Sequence, residues 1–207
     1  NAGNDATICE GQNHSLSGAS VANQTSFVWN TSGDGTFSNT ASLTATYYPG
    51  NNDKQTGSVI LTLTVNGNPP CGPANDFKIL TIYKNATVNA GNDITVCESQ
   101  TLIPITGTAI NYSSVIWTTD GDGTFNNPAL LIPTYYPGVL DVVEGEAELT
   151  LQVNPVSPCT AIENDKMIIT IEESVVCSAG ADATINVNAN YQLNGIAENY
   201  SQVQWAT

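Results

Sequence analysis

The sequence predicts an all-β protein built from tandem β-sandwich repeats of about 88 residues. Three observations carry this. The opening "NAGNDATICE" at Asn1 returns as "NAGNDITVCE" at Asn89 and as "SAGADATINV" at Ser178. Trp29, Trp117 and Trp205 keep the same step, as do "GDGTF" at 33–37 and 121–125 and "TYYPG" at 46–50 and 134–138. Short alternating runs between Gly, Asn, Asp and Pro clusters read as strands, and no helical period of useful length appears. The expected domains are repeat 1 at 1–87, repeat 2 at 88–176, and the N-terminal part of an incomplete repeat 3 at 177–207.

Each complete copy divides into about seven strands. In "GSVILTLTV", Val59, Leu61, Leu63 and Val65 share one face, and Ala147, Leu149, Leu151 and Val153 are their counterparts. This period of two marks a strand with one buried face. In the tryptophan strand, Phe27, Val115 and Val203 share an inward slot with the tryptophans two residues on. The residue between is Val28, Ile116 or Gln204, and a slot that accepts an amide faces outward. The last strand, "FKILTIY" or "KMIITIE", does not reveal its inner face. Tyr-Pro-Gly is read as the corner before the long strand, with Pro fixing φ and Gly accepting positive φ.

Composition excludes several functions. Four Lys and Arg against 19 Asp and Glu give a net charge of −15, which repels nucleic acid and anionic membrane. No apolar run is long enough to span a bilayer. His14 is the sole histidine, and its slot holds Ile103 in copy two, which marks packing rather than catalysis. No serine elbow, second histidine or phosphate loop is present, so no catalytic residue is assigned and the chain is read as a non-enzyme.

Asp120-Gly121-Asp122-Gly123 opens like a calcium loop, but the twelfth position is Leu131 and copy one has Ser32 at the first. A glycine-rich hairpin turn fits both versions. No cofactor is assigned; Ca²⁺ at the recurring Asp5, Asp93 and Asp182 is the one candidate, set against an Asp that caps a local turn. Asn-x-Ser/Thr occurs at Asn13, Asn23, Asn30, Asn85, Asn111 and Asn199.

Five cysteines with so few charges suggest an oxidising compartment. Cys9 and Cys71 are 62 residues apart, and so are Cys97 and Cys159. Spacing alone leaves three connectivities open. A module that closes within itself gives Cys9–Cys71 and Cys97–Cys159, each tying the first strand to the loop before the last. Zinc is disfavoured by the absence of Cys-x-x-Cys pairs and of histidines. Cys177 either pairs beyond residue 207 or stays free.

The string of "AGxDAT(I/V)CE", "W(T/N)TxGDGTF", "TYYPG" and "LTLTV" resembles the Ig-like, PKD-like modules of giant cell-surface adhesins in Bacteroidetes, SprB-like gliding-motility adhesins among them. The resemblance covers the whole chain. It implies Ig-like sandwiches in a long extracellular surface filament exported by type IX secretion, with no catalytic residues carried over. The implied partners are neighbouring repeats of the same chain, other filament subunits or surface glycans. The favoured function is a structural stalk of an adhesin; the alternative is a carbohydrate-binding module, for which only the "TYY" tyrosines remain as sugar platforms. Residues 178–207 stop after three strands, so Trp205 and Leu193 should lack core partners, and Thr207 is expected not to be the natural C-terminus.

Overall fold

The computed structural model describes residues 1–206; the expectation placed on Thr207 lies outside the described residues. The chain is all-β, and each complete copy forms a four-stranded and a three-stranded sheet. In copy one these are built from β1 (Ala6–Cys9), β2 (His14–Ser15), β3 (Gln24–Thr31), β4 (Thr36–Phe37), β5 (Thr46–Tyr48), helix α1 (Asn51–Thr56), β6 (Ser58–Gly67) and β7 (Ala74–Tyr83). The sheets run β1-β7-β6-β3 and β2-β5-β4. β1 lies parallel to β7, pairing Ala6 with Leu80 and Cys9 with Tyr83; every other pairing in this copy is antiparallel.

Copy two repeats the order. It comprises β8 (Thr87–Asn89), β9 (Ile94–Cys97), β10 (Ile103–Pro104), β11 (Thr108–Ile110), β12 (Tyr112–Thr119), β13 (Thr124–Phe125), β14 (Thr134–Tyr136), α2 (Val139–Glu144), β15 (Glu146–Pro155) and β16 (Glu163–Glu172). Its sheets are β12-β15-β16-β9 and β10-β14-β13, with a separate β8–β11 pair. β9 is parallel to β16, with Cys97 opposite Glu172. The third copy contributes β17 (Val176–Ser178), antiparallel to β18 (Ile196–Glu198). By contact density the chain divides into two compact units that interleave the copies: 1–88 with 109–115 and 152–164, and 89–108 with 116–151 and 165–207.

The alternating strands bury the faces read from their pattern. Val59, Leu61 and Leu63 are buried and Val65 half-buried in β6, and Ala147, Leu149, Leu151 and Val153 are buried in β15. Trp29 and Trp117 are buried, whereas Ile116 is exposed. Trp29 stacks on Phe37 at 6.3 Å, and Phe37 meets Tyr47 at 4.9 Å; Trp117, Phe125 and Tyr135 repeat the series at 6.1 and 5.0 Å. The inner face of the last strand, which the pattern leaves open, is Lys78, Leu80 and Ile82 in β7 and Met167, Ile169 and Ile171 in β16. Phe77, Ile79 and Tyr83 face outward, so both faces of β7 are apolar and alternation is lost.

Two features correct the sequence reading. Each Pro-Gly opens a six-residue helix, too short to leave a helical period. Gly50 and Gly138 are its N-caps with φ of −77° and −84°, so their role is not positive φ. That role falls to Gly57 and Gly145, which end the helices in the left-handed region at φ 79° and 76°.

The cysteine pairing also differs. Cys9 is bonded to Cys159, with Cα atoms 4.9 Å apart, and Cys71, Cys97 and Cys177 are free and exposed. Neither Cys9–Cys71 nor Cys97–Cys159 forms. Strand direction explains why. Cys9 pairs with Tyr83 at the C-terminal end of β7, whereas Cys71 precedes its N-terminal residue Ala74. A ten-residue strand is about 30 Å long, and a disulfide needs Cα atoms within about 7 Å. The same strand separates Cys97, opposite Glu172, from Cys159, which precedes Glu163.

In the third copy, Leu193 and Trp205 are 52% exposed, as expected of residues without core partners, but neither lies in a strand: the strands expected at "YQLNG" and "VQW" are absent among the described residues, and Ile196–Glu198 is the strand formed between them. Replacing Trp117 by Ala should destabilise the fold by about 3–5 kcal/mol, the usual cost of removing a large aromatic from a core. Thermal melting of the variant checks this; an unchanged melting temperature would place the tryptophan outside the core.

Candidate functional site

The recurring motifs meet around one buried carboxylate per copy. Asp53, the third residue of α1, is 1% exposed, and so is Asp141 in α2. Asp53 Oδ2 accepts hydrogen bonds from the Tyr47 hydroxyl at 2.6 Å, Gly50 N at 3.1 Å and Gly35 N at 3.2 Å, while Oδ1 accepts from Asp34 N at 3.3 Å. Asp141 Oδ2 accepts from the Tyr135 hydroxyl at 2.6 Å and Gly138 N at 2.9 Å; its Oδ1 has no hydrogen-bond partner. Each tyrosine hydroxyl also meets a threonine from the tryptophan strand, Thr31 at 2.8 Å or Thr119 at 3.0 Å.

A glycine N-cap has no side chain to receive the first helical N–H groups. The "GDG" loop supplies one. Asp34 accepts from Asn52 N at 3.0 Å and Asp53 N at 3.1 Å, and Asp122 accepts from Leu140 N and Asp141 N at 3.0 and 3.4 Å. These backbone donors, Asn52 N–H foremost, hold the Asp34 carboxyl below its usual range. The glycines of this loop are needed for space. A Cβ on Gly33 would overlap the Asp53 carboxylate, one on Gly35 the Tyr47 hydroxyl, and one on Gly50 the Asp34 carboxylate. Gly121, Gly123 and Gly138 face the same neighbours in copy two. This capping role is what the reading of the segment as a glycine-rich hairpin turn does not contain.

The recurring "AGND" opening is a second set of ties. Asn1 and Asn89 accept from the N–H groups of Gly3 and Gly91, which turn at φ 84° and 100°. Ala2 and Ala90 are buried, and their N–H groups donate to Asp76 and Asp165 at 2.7 Å. Asp5 accepts from Ile79 N and Asp93 from Ile168 N, both at 2.8 Å. These two candidate calcium ligands therefore bind backbone of the last strand, and Asp182 is an exposed residue of the third copy. Among the described residues no three His, Cys, Asp or Glu side chains gather as a metal site.

The third set surrounds the exit of each copy. Cys9 Sγ lies 2.8 Å from Asn85 Oδ1, and Cys159 Sγ lies 3.7 Å from the carbonyls of Tyr83 and Lys84. Glu10 accepts from Asn85 N at 3.2 Å, and Asn111 Nδ2 donates to Asn85 O at 3.1 Å. Asn23, Asn111 and Asn199, three of the Asn-x-Ser/Thr positions, share a left-handed turn at φ 54°, 56° and 55°. This gives their recurrence a conformational cause, since Asn tolerates that region better than most residues.

Nothing in these arrangements is a nucleophile or base poised for catalysis. His14 is half-buried, opposite Tyr47 in β2, as Ile103 is opposite Tyr135. Its imidazole pKa is lowered by burial and by the Lys78 charge. A cavity of about 820 Å³ is lined by Val175 at the end of copy two and by Cys177, Gly195, Val203 and Trp205 of the third copy. It is the partly built core of that copy, because Trp205 occupies the slot that Trp117 fills in copy two. Among the described residues no helix is long and apolar enough to cross a membrane.

No protein-family model matches the chain, and no curated protein matches it. Solved structures do. A three-Ig-domain fragment of titin, a Glu-to-Ala variant, aligns with TM-score 0.51 at 12% identity over 84% of this chain and 64% of that one. A titin I-band fragment gives 0.50 at 12% identity over 83% and 64%. Extracellular cadherin domains 3–6 of protocadherin gamma B2 give 0.52 at 10% identity over 86% and 49%. The chain spans less than two thirds of each. At such identities the likeness establishes the fold, an Ig-like β-sandwich, and leaves activity to the residues.

Asp141→Ala would leave the Gly138 N–H without its acceptor and the Tyr135 hydroxyl with Thr119 alone. It should cost about 2–4 kcal/mol, from the loss of a charged acceptor and the stranded N–H. Chemical denaturation measures this, and a loss below about 1 kcal/mol would deny the carboxylate its organising role. The two inward tyrosines also predict alkaline behaviour. Burial first, and then the hydrogen bond to Asp53 or Asp141, raises the phenol pKa of Tyr47 and Tyr135 well above its usual value. The folded state thus keeps protons that the unfolded state loses above about pH 10. Their contribution is complete below that pH and is lost as pH rises through the folded pKa. Phenolate absorbance should show two of the eight tyrosines titrating only with unfolding.

Proposed function

We propose that this chain is a stalk segment of a longer extracellular repeat adhesin or surface filament. Its modules are residues 1–87, 88–176 and the opening of a third at 177–207. The gliding-adhesin resemblance of the motif string points the same way and extends the reading to cell-surface display. The single observation that carries it is the Cys9–Cys159 bond, which joins a cysteine of copy one to a cysteine of copy two. A covalent tie across successive copies suits a protein that bears tension. The recurring residues support it too, because most of them are spent on internal caps and ties. An array whose units contact only their neighbours is the usual form of such a stalk. The acidic surface, at net charge −15, keeps neighbouring stalks apart.

Single-molecule stretching of the chain between its termini tests this. The bond closes 150 residues, about 50 nm of extended chain. Under oxidising conditions that length should stay hidden at forces that unfold the rest, and reduction should release it. Extension of the oxidised chain to full length at low force would overturn the mechanical reading. Strong selective binding on a glycan array would favour the carbohydrate-binding alternative, whose remaining aromatics are the exposed Tyr48 and Tyr136.

A further inference from the structure

Cys97 is the repeat equivalent of Cys9, and Cys71 is the equivalent of Cys159. The Cys9–Cys159 bond therefore follows a rule that can be applied to the unbonded pair: a first-strand cysteine joins the loop cysteine of the next copy. We propose that Cys97 is a clip site for the loop cysteine of a complete third copy, and that Cys71 receives the first-strand cysteine of a preceding one. The proposal rests on the repeat-array reading and adds to it a covalent bond at each junction whose two cysteines are present; the third copy has Asn186 in the first-strand slot and so offers none at its own exit.

The seat around Cys97 reproduces the one around Cys9. Glu10 N donates to Tyr83 O at 2.7 Å and Glu98 N to Glu172 O at 2.9 Å. Glu10 accepts from Asn85 N and Glu98 from Ser174 N, at 3.2 and 3.1 Å. Asn85 lies beside Cys9 Sγ, and Ser174 Oγ lies 3.2 Å from Cys97 Sγ. The Ser174 and Ser99 contacts lower the Cys97 thiol pKa, which raises its thiolate fraction.

The incoming copy supplies the independent observation. Asn111, in its left-handed turn, donates from Nδ2 to the Asn85 carbonyl; Asn199, at the same turn, donates to the Ser174 carbonyl at 3.2 Å. β8 is bonded to β11, and β17 to β18 in the corresponding place. The opening of the third copy thus docks on the exit of copy two through the contacts that copy two makes on the exit of copy one. In copy two, that docking is accompanied by Cys159 reaching Cys9.

Bond formation requires a disulfide oxidant, such as oxidised glutathione or a dithiol–disulfide oxidoreductase. The Cys97 thiolate attacks one sulfur of the oxidant and releases a thiolate. The loop cysteine's thiolate then displaces the second, forming the protein S–S bond. The oxidant is reduced to two thiols, which carry the two protons given up by the cysteines.

The test completes the third copy by grafting residues 118–176, marked by Thr160→Ser, after Trp205 of the chain. After refolding with oxidised glutathione, non-reducing peptide mapping should recover Cys97 joined to the marked peptide, with alkylation of Cys97 abolished. A folded graft with Cys97 still fully alkylated would overturn the clip and leave the stalk reading to the stretching experiment. A second variant does not depend on the graft folding. In Cys9→Ser of the unextended chain, Cys159 and Cys97 should both be alkylated. A Cys97–Cys159 peptide there would show that the cysteines of one copy pair with each other, which also overturns the proposal.

Discussion

Asp53 and Asp141 are carboxylates taken out of water with no cation beside them; the ion pair among the described residues is the exposed Lys166–Glu148. A buried carboxylate costs several kcal/mol unless hydrogen-bond donors surround it. Around Asp53 the donors come from separate parts of the copy: a hydroxyl from β5, a helix N-cap, and the loop after β3. Around Asp141 the hydroxyl and the N-cap recur, while Oδ1 is unpaired. Each carboxylate is satisfied only where these segments meet, so it ties their mutual position. The motifs follow as requirements. Tyrosine is needed because a phenol on β5 reaches the carboxylate while its ring packs on Phe37. Glycine is needed where a Cβ would occupy the space of the carboxylate or phenol.

The second constraint is strand direction. The first strand runs parallel to the last, so its terminal cysteine lies where the chain leaves the sandwich. The loop cysteine lies where the last strand begins. Each copy therefore carries its two thiols about a strand length apart, which prevents closure within the copy and offers one thiol at each end. The observed bond closes a loop of 150 residues. In the chain-entropy account such closure stabilises by about 5 kcal/mol.

Much of this was legible in the residues. Periodicity named the inner faces of β6 and β15, and three-fold comparison put Trp29 and Trp117 in the core and Ile116 on the surface. The shared slot of His14 and Ile103 identified a packing position, and both sit opposite a buried tyrosine. The last strand could not be resolved because Phe77 and Ile79 are exposed while Lys78 is inside, inverting the usual polarity. The helices are shorter than two turns and carry no periodic signal. Equal cysteine spacing suggested closure within a copy, yet the same spacing arises from any rule applied once per copy. Only the parallel pairing of first and last strands, which no local pattern records, decides between them.

The differences between the copies show what the framework leaves free. Lys78 fills the slot that Met167 fills in copy two, and its ammonium pKa is lowered chiefly by burial, with the Asp5 charge opposing. The cation is held inside at a desolvation cost that the Asp5 charge partly offsets. At the helices the change runs the other way. Asn51, Asn52 and Gln55 on α1 become Val139, Leu140 and Val143 on α2, all exposed. Neither change touches the capped carboxylate, because Asp34 and Asp122 bind the helices through backbone N–H groups. A cap made to the backbone is indifferent to the side chain it holds. The two complete copies therefore keep one interior while presenting different surfaces.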